Sequence, residues 1–544
     1  MTAVDSPGAL VRLTWAQPED LLGHELRQAR EDGRDAGPVL REWLAAGGRP
    51  APDRAGASAE PAPPELRALA IRLLTELDAL PVPSGADEPS AWPDIRATWP
   101  PPPTPTATPA APPDPTPPGA VLPAASPAAS PDPAPGRATD PRRPAAPDRA
   151  GRPDPAPRAT PAPPPAAPAG RRVADRNPRS AHGPDAPPPG VDAALRERLE
   201  AAWVGRAAGC VLGKPVEKLP LDGIRALARA GGNWPLSDWF SARGVPAELL
   251  AAHPWNRRSA ATSLAENIDG APEDDDLNHP LLGLLLLQRH GKGFTTADLG
   301  RLWLDELPAG RTFTAERIAY RNLLQGLEPP MTARHHNPFR EWIGALIRAD
   351  VHGWTNPGEP VAAAAQAHRD AALTHTASGI HAALFVAAAL AEAAGGRADV
   401  HGALRAGLAV VPPRSRLAEA VRFGIRTASD EPDFDRVVDR LHDCYGHYHW
   451  VHALPNTALI AAALTHADGD FTHSVCRAVS GGWDTDSNGA TAGSLAGLLA
   501  GSPGRIPDRW TAPLKNRLST GVSGFDGIGF DALAHLTAQE AARS

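Results

Sequence analysis

Gly481-Gly482-Trp483-Asp484-Thr485-Asp486-Ser487-Asn488-Gly489-Ala490-Thr491-Ala492-Gly493-Ser494-Leu495-Ala496-Gly497 is the stretch on which the reading of this chain turns. Paired glycines let a backbone approach a ligand closely. Asp484 and Asp486, two positions apart, can aim oxygens at one point. Behind them runs a helix of small residues, with Gly493, Ser494 and Gly497 where bulky side chains would stand, which suits tight packing in a domain interior. The ordinary reading is helix N-terminal charge, where a carboxylate contributes about 0.3–1 kcal/mol. A calcium loop is the other alternative, since Asp484-x-Asp486-x-Asn488-Gly489 fits the first half of that pattern. The pattern then needs a bidentate Glu at its twelfth position, and Leu495 stands there, so this reading fails.

A second acidic cluster, Glu273-Asp274-Asp275-Asp276, directly precedes the apolar helix that begins near Pro280. Together the clusters offer carboxylates plus the Thr485 and Ser487 hydroxyls, with no His or Cys at ligand spacing inside either. An all-oxygen set suits hard ions, magnesium or manganese, better than zinc. Several carboxylates cannot converge uncompensated, because like charges oppose ionisation. Two divalent cations would neutralise them, giving a dinuclear site able to orient a diol or diphosphate and activate water.

Outward from these motifs, Ala- and Leu-rich segments with helical periodicity cover 192–210, 280–290, 314–327, 340–349, 360–372, 379–394, 456–465 and 488–500. No set of alternating strands or hairpin turns accompanies them. The expected fold is all-α, an orthogonal multi-helix bundle over 191–544 that carries fold and chemistry by itself. Residues 87–190 hold proline runs such as Trp99-Pro100-Pro101-Pro102-Pro103 and almost no large apolar side chains, which predicts a disordered tether. Residues 1–86 predict a small helical accessory segment, with helices opening at Pro18-Glu19-Asp20 and Pro64-Glu65-Leu66 and a minimal core around Trp15 and Trp43.

Composition narrows the class further. A formal charge of −8 over 544 residues argues against a nucleic-acid surface. Cys210, Cys444 and Cys476 are far apart and give neither a disulfide framework nor zinc spacing. The start lacks a signal-peptide pattern, and the apolar helices are interrupted by His, Gln, Ser or Gly short of a membrane span. The expectation is a cytoplasmic protein. His442, Cys444, His447, His449 and His452 match no standard zinc pairing, and Tyr445, Tyr448 and Trp450 among them point to packing.

At this point the residues resemble the ADP-ribosylglycohydrolase family, which includes dinitrogenase-reductase-activating glycohydrolases and ADP-ribosylarginine hydrolases. Gly205-Arg206-Ala207-Ala208-Gly209-Cys210-Val211-Leu212-Gly213-Lys214-Pro215-Val216-Glu217 resembles the family's opening glycine-rich segment with its functional Glu. Asp274-Asp275-Asp276 resembles its Thr-Asp-Asp motif, and Gly344-Ala345-Leu346-Ile347-Arg348 with Thr374-His375 its central ribose-phosphate segments. Asp484-Thr485-Asp486-Ser487 resembles its Asp-x-Asp-Thr signature. Three departures stand out: Asp274, or Glu273 if the alignment slips by one, in place of Thr, Ser487 in place of Thr, and Trp483 where Gly usually precedes the signature.

The resemblance implies an all-α bundle with two magnesium ions, replaceable by manganese, held by Asp274, Asp275, Asp276, Asp484, Asp486 and Ser487. It implies Glu217, Asp275 and Asp486 as catalytic groups, with Glu217 closing a loop that contains Gly205, Gly209 and Gly213. Arg348, His375 and Gly344 are the expected substrate-binding residues; for Arg348 the competing reading is an ordinary salt bridge. The implied activity is hydrolysis of the N- or O-glycosidic bond between ADP-ribose and a modified protein or small molecule by a monomeric domain, without membrane or nucleic acid. The alternatives are a catalytically weakened ADP-ribose-binding protein and a metal-dependent phosphoester hydrolase.

Overall fold

The structure, a computed structural model, describes residues 16–52, 55–56, 58, 60–100 and 192–543. The expected tether from 101 onward and Trp15 lie outside the described residues. Those described form helices and isolated bridges only, with no strand among them, as the periodicity predicts.

The central element pair is the helix Ala193–Gly213 against the helix Thr485–Ala500. They run antiparallel, and their contact is built from glycine. A Cβ on Gly205 would stand 2.2 Å from the Gly493 carbonyl oxygen, and one on Gly209 would stand 1.8 Å from that of Gly489. In return, a Cβ on Gly497 would meet the Ala201 carbonyl at 2.2 Å. Residues four apart lie on one helix face, so this spacing gives each helix a continuous strip of bare backbone. The two axes therefore approach more closely than side chains allow. Gly205, Gly209 and Gly213 are thus the last turns of a long helix and not a loop, which corrects the sequence expectation.

Around this pair pack Asp275–His290, Ala377–Ala394 and Ala453–Ala467, all largely buried. Ala377–Ala394 is long and apolar enough to cross a membrane by length and composition, contrary to expectation, yet 89% of it is buried inside the fold. It serves as a core helix. The predicted helix over 340–349 is instead a 3-10 segment, Ile343–Arg348, followed by a short turn of α-helix, Asp350–Trp354.

The N-terminal residues depart furthest from expectation. Helices Pro18–Glu31 and Pro64–Asp78 form as predicted, but described structure continues past 86 through the helix Trp92–Ala97. This segment is seated on the larger bundle by specific polar contacts. The Arg340 guanidinium pairs with Glu25 at 2.9 Å and Asp32 at 3.2 Å. Arg416 bonds Glu88 at 2.8 Å and pairs with Glu341 at 2.7 Å, while the Gln28 amide donates to Glu341 at 3.1 Å. The Trp99 indole donates to the Val410 carbonyl at 3.1 Å, and Glu31 accepts from the His449 backbone at 3.2 Å. Asp78, His335 and His336 also cluster at this junction. Their imidazoles stack at 4.0 Å and 23°, so the in-plane lone pairs run nearly parallel and converge poorly on an ion. These residues act as interface packing.

Two measurements check this account. Gly209→Ala should cost at least ~3 kcal/mol, because the new methyl meets rigid backbone. Gly310→Ala, where a Cβ has nothing within 4 Å, should stay within ~0.5 kcal/mol of wild type in the same urea titration. Equal midpoints would refute the close helix contact. A 192–543 fragment leaves Arg340, Glu341 and Arg416 short of buried partners, so its thermal midpoint should fall by ~5 °C or more relative to the full chain. Coincident melting curves would mean the N-terminal contacts carry no stability.

Candidate active site

The glycine-packed helices deliver both ends of the site. The opening helix ends at Gly213, where a Cβ would stand 2.3 Å from the Thr485 carbonyl, and the Thr485 hydroxyl donates back to the Gly213 carbonyl at 2.8 Å. One 3-10 turn, Lys214–Val216, then presents Glu217. The Glu217 carboxylate accepts from the Asn256 amide at 2.7 Å and pairs with Lys218.

The signature turn needs left-handed backbone at Gly482 (φ 79°) and Trp483 (φ 57°). Trp483 tolerates this conformation while lying flat on His442, with ring centroids 4.0 Å apart and planes 4° from parallel. Asn456 braces the turn: its side-chain oxygen accepts from the Asp484 backbone at 3.1 Å and the Asn488 amide at 2.8 Å. Asp484 occupies the helix N-cap but makes no capping bond with its side chain. The ordinary helix-start reading therefore leaves its carboxylate unexplained.

The first acidic cluster starts the helix Asp275–His290. Asp274 caps it, accepting from the Asp276 backbone at 3.0 Å, and is ion-paired with buried Lys214. Asp276 accepts from the Ser487 hydroxyl at 3.2 Å, which joins the two clusters. Arg206 lies fully buried behind them, donating to the Asp276 carbonyl at 2.7 Å and pairing with Asp350 at 2.9 Å. Glu217, Asp484 and Asp486 present oxygens all within 4.8 Å of one another.

Electrostatics separates one of these acids from the rest. Burial, then the Asp274 and Asp486 charges, pushes Asp275 and Asp276 far above the carboxylate range. Burial followed by Asp486 and Glu217 does the same to Asp484, and Asp486 is raised to about 7 by burial and Glu217. Asp274 is also penalised by burial, but the Lys214 ammonium outweighs this and holds its carboxyl below the ordinary value. The buried Oδ1 of Asp276 has no hydrogen-bond partner. Crowded carboxylates with an orphaned oxygen fit hard divalent cations, which would reverse these upward shifts. Burial and the neighbouring Asp274 charge raise the Cys210 thiol, which lies with Asp274 and Asp276 in a second group of possible ligand atoms.

Arg348, His375 and Gly344 come together, but in an internal network. Arg348 is buried and donates to Glu316 at 2.8 Å, the Gly344 carbonyl at 2.9 Å, the Asp370 carbonyl at 3.3 Å and the Thr374 hydroxyl at 2.6 Å, and its Nε is held by the Asp370 carboxylate. Those bonds occupy all five guanidinium N–H groups. None is left for a diphosphate in this arrangement, which matches the competing salt-bridge reading of Arg348. Gly344 has a packing role too, since a Cβ there would stand 2.1 Å from Glu316 Oε1. His375 is enclosed with them, its Nδ1 2.5 Å from the Thr374 hydroxyl, and burial keeps it neutral. Lys214, Arg206, Asn256 and Asn456 were not singled out from sequence, because their partners are remote along the chain.

If Arg348 is structural, Arg348→Lys should lower stability by ~3–5 kcal/mol, the cost of stranding buried Glu316 and Asp370. A diphosphate-binding Arg predicts raised KM with an unchanged urea midpoint, and that result would restore the original expectation.

Comparison with known proteins now bears on this site. No match is found among curated proteins. A solved "ADP-ribosylglycohydrolase-related protein complex" is similar over 64% of this chain and 99% of its own, at 22% identity and a TM-score of 0.39. The family model for ADP-ribosylglycohydrolase matches residues 191–542, a span that contains both acidic clusters and Glu217. The chain belongs to the ADP-ribosylglycohydrolase family and is a glycosidic-bond hydrolase.

Proposed function

We propose that the site hydrolyses the N- or O-glycosidic bond joining ADP-ribose to a modified protein or small molecule, and that it needs two magnesium ions, replaceable by manganese. The observation that carries this reading is the meeting of Glu217 with Asp484 and Asp486 beside Asp275 and Asp276, a cluster whose carboxylates have too few counter-charges.

Asp275, Asp276, Asp484, Asp486 and Ser487 are the residues that would hold the ions, together with Asp274 of the expected set, which is ion-paired with Lys214. Bound divalent cations supply orientation of the ribose hydroxyls and a lowered pKa for a bound water. Glu217 stands apart from that work. Its carboxylate is fixed by the 3-10 turn and by Asn256, where it can orient water and take up its proton. Cleavage at the anomeric carbon develops positive charge on the sugar, which the surrounding carboxylates favour. Exposed Lys218, ion-paired with Glu217 and 5.7 Å from the Trp450 ring centre, is placed to meet an anionic part of the substrate at the rim.

Incubation of the full chain with ADP-ribosylated arginine, serine, nucleic-acid ends and small molecules should release free ADP-ribose with magnesium and none with chelator. Free phosphate as the product, or undiminished turnover in chelator, would overturn the reading. Glu217→Gln should lower kcat by ~10²–10⁴-fold while manganese still binds. Asp486→Asn should weaken manganese binding as well, with a metal-free thermal midpoint unchanged or raised, because repulsion is relieved. A helix-start role for Asp486 instead predicts wild-type turnover, since Asn caps nearly as well as Asp.

A further inference from the structure

Six acidic side chains surround the site, but they do not stand in equal surroundings. Asp274 has both oxygens engaged: Oδ1 accepts from the Asp276 backbone at 3.0 Å, and Oδ2 is in contact with the Lys214 ammonium. The pair is enclosed, with side-chain exposures of 8% for Lys214 and 9% for Asp274. Lys214 cannot easily withdraw, because it begins the 3-10 turn directly after Gly213, whose backbone lies against Thr485. Its other acceptor is the Glu273 carbonyl at 3.4 Å, on the same strip of chain.

Charge matching follows from this pairing. Asp274 is met by Lys214, Glu217 by Lys218, and the buried Asp350 by Arg206. Asp275, Asp276, Asp484 and Asp486 remain, four negative charges with no cation of their own beyond the more distant Arg206 at 3.6 Å from Asp276. Two divalent cations balance four carboxylates. Were Asp274 also a ligand, the ions would have to compete with a fixed ammonium already in contact with it.

We propose that Lys214 is a built-in cation of the active site that takes Asp274 out of the metal-ligand set, leaving the ions to the Asp275, Asp276, Asp484 and Asp486 carboxylates and the Ser487 hydroxyl. This inference rests on the metal-dependent reading above. Its consequence is that Asp274 acts as a helix cap and as the counter-ion of Lys214, and that the pair adds no net charge to the site.

A double-mutant cycle on the full-length chain tests this, with Mn2+ stoichiometry and affinity read by electron paramagnetic resonance and the metal-free thermal midpoint read separately. Asp274→Asn keeps the cap but strands the ammonium, so Mn2+ should bind at least ~10-fold more weakly by charge repulsion. Lys214→Met frees Asp274, so Mn2+ should bind more tightly or in greater number. The double variant should recover wild-type stoichiometry and come within ~3-fold of wild-type affinity, and Lys214→Arg should match wild type throughout. In the absence of metal each single variant should melt below both wild type and the double variant. A double variant that binds one ion fewer than wild type would show Asp274 to be a ligand and overturn the inference. Absence of Mn2+ binding in wild type would refute the metal-dependent reading and this inference with it, whereas additive losses of midpoint in the double variant would refute the ion pair alone.

Discussion

The contact between Ala193–Gly213 and Thr485–Ala500 is the constraint on which the rest depends. Helices whose facing positions are glycine can bring carbonyl oxygens to where side chains would otherwise stand. That closeness sets the register of the two helix ends. Gly213 is seated on Thr485, and the residues just beyond each end, Glu217 on one side and Asp484 with Asp486 on the other, are forced into one small volume. Three carboxylates could not assemble there by mutual attraction, since they repel. Packing elsewhere imposes the arrangement, and the local cost becomes available as affinity for cations.

Around that axis the fold shows two ways of settling buried charge. Behind the site, Arg206 and Arg348 are neutralised by Asp350, Glu316 and Asp370 within the protein, which fixes those side chains. At the site itself, Asp275, Asp276 and Asp484 keep strongly raised proton affinities, a sign of charges without internal partners. The difference between satisfied and unsatisfied carboxylates marks the site more sharply than burial alone. The N-terminal seat follows the first pattern, with Glu25, Asp32 and Glu88 matched to Arg340 and Arg416.

What could be read from the sequence was local. The all-α class, most of the long helices and both acidic clusters rest on periodicity and on residues adjacent in the chain. The glycine segment was the instructive error. Three glycines at four-residue spacing suggest a loop by composition, but the spacing itself describes a helix face, and only the matching strip on Thr485–Ala500 shows why it is bare. The sequence leaves Arg348 open between substrate binding and a salt bridge because its partners, Glu316 and Asp370, lie in other helices. The 3-10 course of Ile343–Arg348 follows from the same network, which draws the Gly344 carbonyl onto Arg348. The docking of the described N-terminal residues was invisible because the charge pairs and buried contacts that make it, such as Arg340 with Glu25 and His24 against Phe339, join segments far apart in the chain.

The most direct test of the central claim is anomalous diffraction from crystals of the full chain grown with Mn2+ and ADP-ribose. Anomalous peaks in contact with Asp275, Asp276, Asp484 and Asp486, with the ribose of the ligand against them and Glu217 facing its anomeric carbon, are the result this structure predicts. Manganese bound elsewhere, with that cluster empty and ADP-ribose absent from it, would contradict it.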